Sequence, residues 1–233
     1  MCVAIVNNNS IISEQTFIDC DSGNHDGAGL AWIENGKLET YQCMEDVKTF
    51  YEIYKCVREV STSPVLIHFR YATSGNIDED NTHPFSVNDN LCFIHNGIMR
   101  EVNITNKNYS DTWHFNQMLK AMPEGFIESE GIRELIRVFI ASDKLAFLDS
   151  KGNVTIINEQ LGAYDDAGNW FSNTFYLPFD DECDYADEED KELWEYEQLQ
   201  QWKEQQALWD EGEYKDNNQN YWDEQPIVKK YFK

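Results

Sequence analysis

An arginine inside an otherwise apolar strand constrains this chain most. In the run Val65 to Ala72, VLIHFRYA, alternate side chains of an extended backbone face opposite ways, so His68, Arg70 and Ala72 share one face and Ile67, Phe69 and Tyr71 the other. A guanidinium there needs an anion, and its planar fork of donors fits a carboxylate, which a bound substrate or an internal Asp or Glu could supply. Residues 74 to 90 then form a polar loop containing His83-Pro84-Phe85. Leu91 to His95 reads as a further strand, closed by Asn96-Gly97. A long polar loop between two strands is where working residues concentrate.

The rest of the chain supplies partners for these strands. Cys2 to Val6 is a short apolar run that reads as a strand, and Asn7 to Asp26 reads as polar and irregular. Gly27 to Ile33 and Leu38 to Cys43 flank Asn35-Gly36 as a hairpin. Val47, Phe50, Tyr51, Tyr54 and Val57 have helical spacing within Glu45 to Val60. Ser110-Asp111 is a helix start, after which Phe115, Met118, Leu119 and Met122 mark one apolar face; Ile132, Leu135, Ile136 and Phe139 mark another. Lys144 to Asp149 and Val154 to Asn158 read as a second hairpin, and Trp170 to Leu177 as a last strand. Many antiparallel strands with few helices predict an α+β fold, with helices packed on sheets rather than alternating βαβ units.

Composition bounds the function. The net charge is −25, and residues 180–233 hold 18 acidic and 6 basic side chains, net −12. A polyanion would be repelled, so no direct nucleic-acid binding is expected. No apolar run is long enough to span a membrane, and no signal-type segment follows Met1, so the expectation is a cytoplasmic protein without membrane attachment. The six cysteines are scattered without paired spacing and read as reduced thiols. His68, His83, His95 and Cys92 lack paired-ligand spacing, so no metal is assigned, and no cofactor is called for.

Cys2 has a special chemical opportunity. With Met1 removed it would carry both a thiol and a free α-amino group, whose pKa of about 8 makes it a base near neutral pH. The alternative is a small apolar side chain in a terminal strand. The tail from Asp180 embeds Leu193, Trp194, Tyr196, Leu199, Trp202, Leu208 and Trp209 in charge. These positions spread around a helix instead of forming one stripe, so a disordered tail and a partner-docking helix both remain open.

Taken in order, Met1-Cys2, His68-Phe-Arg-Tyr-Ala-Thr-Ser-Gly75, Asn81-Thr-His-Pro-Phe85, His95-Asn-Gly-Ile98 and Ser110-Asp-Thr112 resemble the glutaminase domain of class II glutamine amidotransferases, over about residues 2–177. The resemblance implies an N-terminal nucleophile hydrolase fold, a four-layer αββα sandwich of two antiparallel sheets between helices. It implies a glutaminase domain at 2–179 and an acidic extension at 180–233.

It further implies that Cys2 attacks the side-chain amide of L-glutamine, that Asn96 and Gly97 form an oxyanion hole, and that Arg70 and Asp111 hold the α-carboxylate and α-ammonium. Thr73 and His83 would line the same pocket. Val3 stands where the family usually has glycine, and Tyr71 where many members have tryptophan. Relatives commonly continue into an ammonia-consuming domain, so the expectation is a stand-alone glutaminase serving a separate synthetase or transferase. The alternatives are an amidohydrolase for another amide, and a catalytically idle domain that binds a protein through its acidic tail.

Overall fold

The structure, a computed structural model, describes residues 2–8, 10–61 and 63–174. The 180–233 extension and the boundary before it lie outside the described residues. The first sheet contains β1 (Val3–Asn7), β2 (Ala28–Glu34), β3 (Lys37–Cys43), β4 (Val65–Phe69), β9 (Ala163–Tyr164) and β10 (Trp170–Phe171), in the order β3-β2-β4-β1-β10-β9. The second contains β5 (Phe85–Asn88), β6 (Leu91–Asn96), β7 (Lys144–Asp149) and β8 (Val154–Ile157), in chain order. Every pairing among these strands is antiparallel. Among the described residues, no helix is long and apolar enough to cross a membrane.

Three apolar layers follow from the alternation of side chains along the strands. Val3, Ile5, Ile67 and Phe69 face α1 (Glu14–Ser22) and α2 (Val47–Val60), where Phe17, Phe50 and Tyr54 are buried. The intervening Ala4, Val6 and Leu66 meet Cys92, Ile94, Ala146 and Leu148 between the sheets. Phe93, Leu145 and Phe147 face α3 (Asp111–Lys120) and α4 (Glu130–Ile140) through Phe115, Leu119, Ile136 and Ile140. The expected four-layer αββα sandwich is therefore the fold. Small side chains at Ala4, Ala31 and Ala146 allow close approach of the sheets, and buried Trp170 fills the remaining volume.

Local expectations fail in several places. Asn7 to Asp26 is not irregular throughout, because α1 forms where the Ser13 hydroxyl caps it by accepting from Thr16 N at 3.1 Å. Only Phe17 and Cys20 are buried on that helix, too few for a visible period. The 74–90 loop contains β5, whose alternate side chains Phe85 and Val87 are buried against β6. β4 stops at Phe69, because the Asp26 carboxylate takes the Ala72 N–H at 2.8 Å and turns the chain out of the ladder. β10 covers only Trp170–Phe171, and 175–177 lie outside the described residues. Met118, Met122 and Leu135 are exposed: the sheet meets a stripe narrower than helical spacing alone suggests.

Candidate active site

The ends of strands from both sheets converge on Cys2. β1 pairs with β4 so that Val3 lies opposite Phe69, which brings Cys2 beside the residues following β4. The Tyr71 N–H donates to the Cys2 sulfur at 3.3 Å, and the thiol donates back to the Tyr71 carbonyl at 3.3 Å. Burial raises the thiol pKa above its ordinary value, while the Tyr71 N–H and the Arg70 charge pull it down. At rest Cys2 is thus a protonated thiol, which would need a base before it could act as a nucleophile.

Asn96 closes β6, on the second sheet, and its side-chain amide donates to the Cys2 carbonyl. The Asn173 amide donates to the same oxygen at 2.8 Å. An amide carries two N–H bonds, so Asn96 retains a second donor next to Cys2. Gly97 follows with φ 148°, a conformation in which a side chain is strained, so this residue has to be glycine to present its N–H at the strand end.

Arg70 is 3% exposed and donates to the Ser74 and Asn76 carbonyls at 3.0 and 2.9 Å. None of the ion pairs among the described residues involves it. The guanidinium is therefore held in place by backbone oxygens rather than neutralised by a carboxylate in contact, and Asp26, Asp78 and Asp111 act on it from farther away. Asp111 begins α3, where a carboxylate suits the helix dipole, while Ser110 provides the cap. Its carboxylate accepts from Met99 N at 2.7 Å, Thr112 N at 2.9 Å and the Ser74 hydroxyl at 3.1 Å. Gly75 (φ 74°) lets the loop close on that helix start, since a Cβ there would lie 2.5 Å from Ser110 N. A buried cation and a buried anion thus both act electrostatically on one thiol.

Thr73 is half-buried in this loop, and its side chain makes no hydrogen bond among the described residues. His83 lies deeper, 4% exposed, with its ring 3.9 Å from that of His68 and 6.3 Å from that of His95. Neither of its ring nitrogens has a hydrogen-bond partner among the described residues. Among the described residues, no group of three or more His, Cys, Asp or Glu side chains is arranged to hold a metal ion.

The His68 Nε2 donates to the His95 carbonyl at 2.9 Å, and burial pushes the pKa of His68 down to about 3. That of His83 falls in the same direction for the same reason. A histidine free in the unfolded chain titrates near pH ~6.5. The stability contributed by a neutral His68 is complete above that pH and is lost as pH falls through the window from about 6.5 to 3. Each pH unit in that window costs about 1.4 kcal/mol per such histidine. Urea unfolding should show this decline, and His68→Gln, whose amide can still donate to His95, should flatten it by about one proton. An unchanged slope would remove His68 from the acid response.

Several contributors had no signal in the sequence. Asp26 donates its N–H to the Arg70 carbonyl at 2.9 Å besides taking the Ala72 N–H. Ser172 accepts the Ala4 N–H at 2.9 Å, and Asn173 holds the Cys2 carbonyl. Asp143 contacts the His95 ring at 3.3 Å, and Thr112, part of the Ser110-Asp-Thr112 motif, contacts it at 2.9 Å, through pairings that only the folded chain creates.

The family model described as glutamine amidotransferases class-II matches residues 9–154, more than half of the chain, in a span that begins after Cys2. No curated protein matches. Among solved structures, glutamine phosphoribosylpyrophosphate amidotransferase from B. subtilis, complexed with ADP and GMP, is similar at 15% identity and TM-score 0.46, over 74% of this chain and 42% of that one. A glutamine aminotransferase class-II domain protein from Silicibacter pomeroyi is similar at 18% identity and TM-score 0.39, over 73% of this chain and 87% of that one. An allosteric regulatory enzyme of purine biosynthesis is similar at 18% identity and TM-score 0.40, over 73% of this chain and 41% of that one.

Proposed function

This chain belongs to the class-II glutamine amidotransferases, and from that premise we propose that it hydrolyses the side-chain amide of L-glutamine through a thioester on Cys2. The observation that carries the reading is the meeting of a thiol, the Asn96 amide, and the buried Arg70 and Asp111 at one end of the sandwich. Removal of Met1 leaves Cys2 with a free amine that takes the thiol proton as sulfur attacks the amide carbon. The developing oxyanion is held by the second Asn96 N–H and the Gly97 N–H. Collapse breaks the C–N bond, the amine returns the proton to the leaving nitrogen, and ammonia departs. Water then attacks the thioester with the amine as base, giving glutamate and restoring the thiol.

Arg70 and Asp111 supply the orientation. The fork of Arg70 faces the α-carboxylate and the Asp111 carboxylate the α-ammonium, which places the side-chain amide at the sulfur. The ammonia passes to a separate synthetase or transferase. Incubating the processed protein with glutamine should yield glutamate and ammonia in equal amounts, with a glutamyl adduct trapped on Cys2 by acid quench. Absence of ammonia, or an adduct on another cysteine, would refute the reading.

Asp111→Asn supplies a sharper check on specificity. It should raise KM for glutamine by about 10 to 100-fold, as expected for loss of a charge-assisted hydrogen bond. KM for the analogue lacking the α-amino group should change far less. Equal losses on both substrates would mean that Asp111 acts only by holding Ser74 and Met99.

A further inference from the structure

We propose that Asp143 is a positioning residue for the oxyanion hole, an inference that rests on the glutaminase reading above. Asp143 stands just before β7, and the register of Asn96 with Lys144 sets it opposite Gly97. Its side chain fills the space that a side chain on Gly97 would occupy: a Cβ built there would lie 2.1 Å from both Asp143 Cγ and Oδ1. The glycine and the aspartate are therefore complementary, one lacking a side chain where the other inserts one. A side chain at residue 97 could be accommodated only if Asp143 moved.

The same carboxylate fixes the residue on the other side of Asn96. Asp143 Oδ2 lies 3.3 Å from His95 Nε2, in a site where the His95 side chain is 2% exposed. A carboxylate can only accept, so Nε2 carries the proton. The other ring nitrogen, Nδ1, is hydrogen-bonded to the Thr112 hydroxyl at 2.9 Å. The Thr112 backbone N–H also donates to the Asp111 carboxylate, so contacts run from Asp143 through His95 and Thr112 to Asp111.

Asp143 is itself set by the backbone. Its N–H donates to the Ile140 carbonyl at 2.9 Å, and buried Asn158 donates to the carbonyls of Ala141 and Asp143 at 2.8 and 2.7 Å. A carboxylate on a pinned turn thus braces both neighbours of Asn96. No reacting atom touches it. Its effect passes through the placement of the Gly97 N–H and the Asn96 amide, which matters in the transition state more than in substrate binding.

The test compares two variants of the processed full chain with the wild type. Asp143→Leu keeps the branched shape and loses the acceptor; it should lower kcat on the order of 10 to 100-fold with KM changed little, the cost of a misplaced donor. Asp143→Asn keeps shape and an acceptor oxygen and should recover most of that loss. The aldehyde analogue of glutamine forms a tetrahedral oxyanion on Cys2, and it should bind Asp143→Leu more weakly in proportion to kcat. If Asp143→Leu fails to fold, Asp143→Ala takes its place with the same expectations. A wild-type kcat in the acceptor-free variant, a loss confined to KM, or unchanged aldehyde affinity would overturn the proposal. An Asp143→Asn variant as impaired as Asp143→Leu would do so as well. A wild-type protein that releases no ammonia from glutamine would instead bring down the glutaminase reading itself.

Discussion

Replacing Cys2 by alanine should lower glutamine hydrolysis by on the order of 10,000-fold or more, because a covalent route disappears with its nucleophile. Retaining Met1 should have an effect of similar size with the thiol intact. The reason lies in the environment of the sulfur: burial holds its pKa above the ordinary value, so the thiol needs a base beside it. An amine at residue 2 has both the reach and the basicity, whereas an amide nitrogen in a longer chain has neither. Intact mass should show loss of one methionine in active protein. A preparation carrying an uncleaved extension before Cys2 provides the comparison. Equal turnover by the extended and processed forms would eliminate the terminal amine as the base.

Asn96→Ala should cost about 100 to 1,000-fold in kcat, with a smaller effect on KM, as for a lost oxyanion donor. The structure complicates a simple reading, since Asn96 also donates to the Cys2 carbonyl and helps to hold β1 in place. Asn173 donates to the same carbonyl, which gives a control for that second role. Asn173→Ala should reduce kcat much less, because it removes a support of the strand and leaves the oxyanion hole intact. Matching losses in the two variants would show that both act by seating Cys2, and would strip Asn96 of its part in the transition state. Thermal melts on both variants separate a seating defect from unfolding.

The elements that were legible in the sequence are those whose cause is local. Asn35-Gly36 marked its hairpin because few dipeptides adopt that turn, and the helical spacing of Phe50, Tyr54 and Val57 found α2 because each is buried on one face. The motif residues Cys2, Arg70, Asn96, Gly97 and Asp111 could be picked out by chemical type, in an order that resembles one family. Elements with a weak local cause were missed: α1 buries only two side chains, and β5 is four residues long. The exposed Met118 and Leu135 show the converse error, since spacing cannot say how wide a stripe the sheet will cover.

What the sequence determined by itself was the inventory: a thiol at residue 2, an arginine that needs an anion, and donors at a strand end. Tertiary structure decided how these groups are held. That Arg70 is secured by two carbonyls and, among the described residues, contacted by no carboxylate depends on a loop closure between residues 70 and 76 and the start of α3. The bracing of Gly97 by Asp143 depends on the β6–β7 register, across a separation of 46 residues that no short-range pattern encodes. Hydrogen-bonded register and close packing place groups far apart in the chain within ångströms of one another, and their geometry exists only once both sheets have formed.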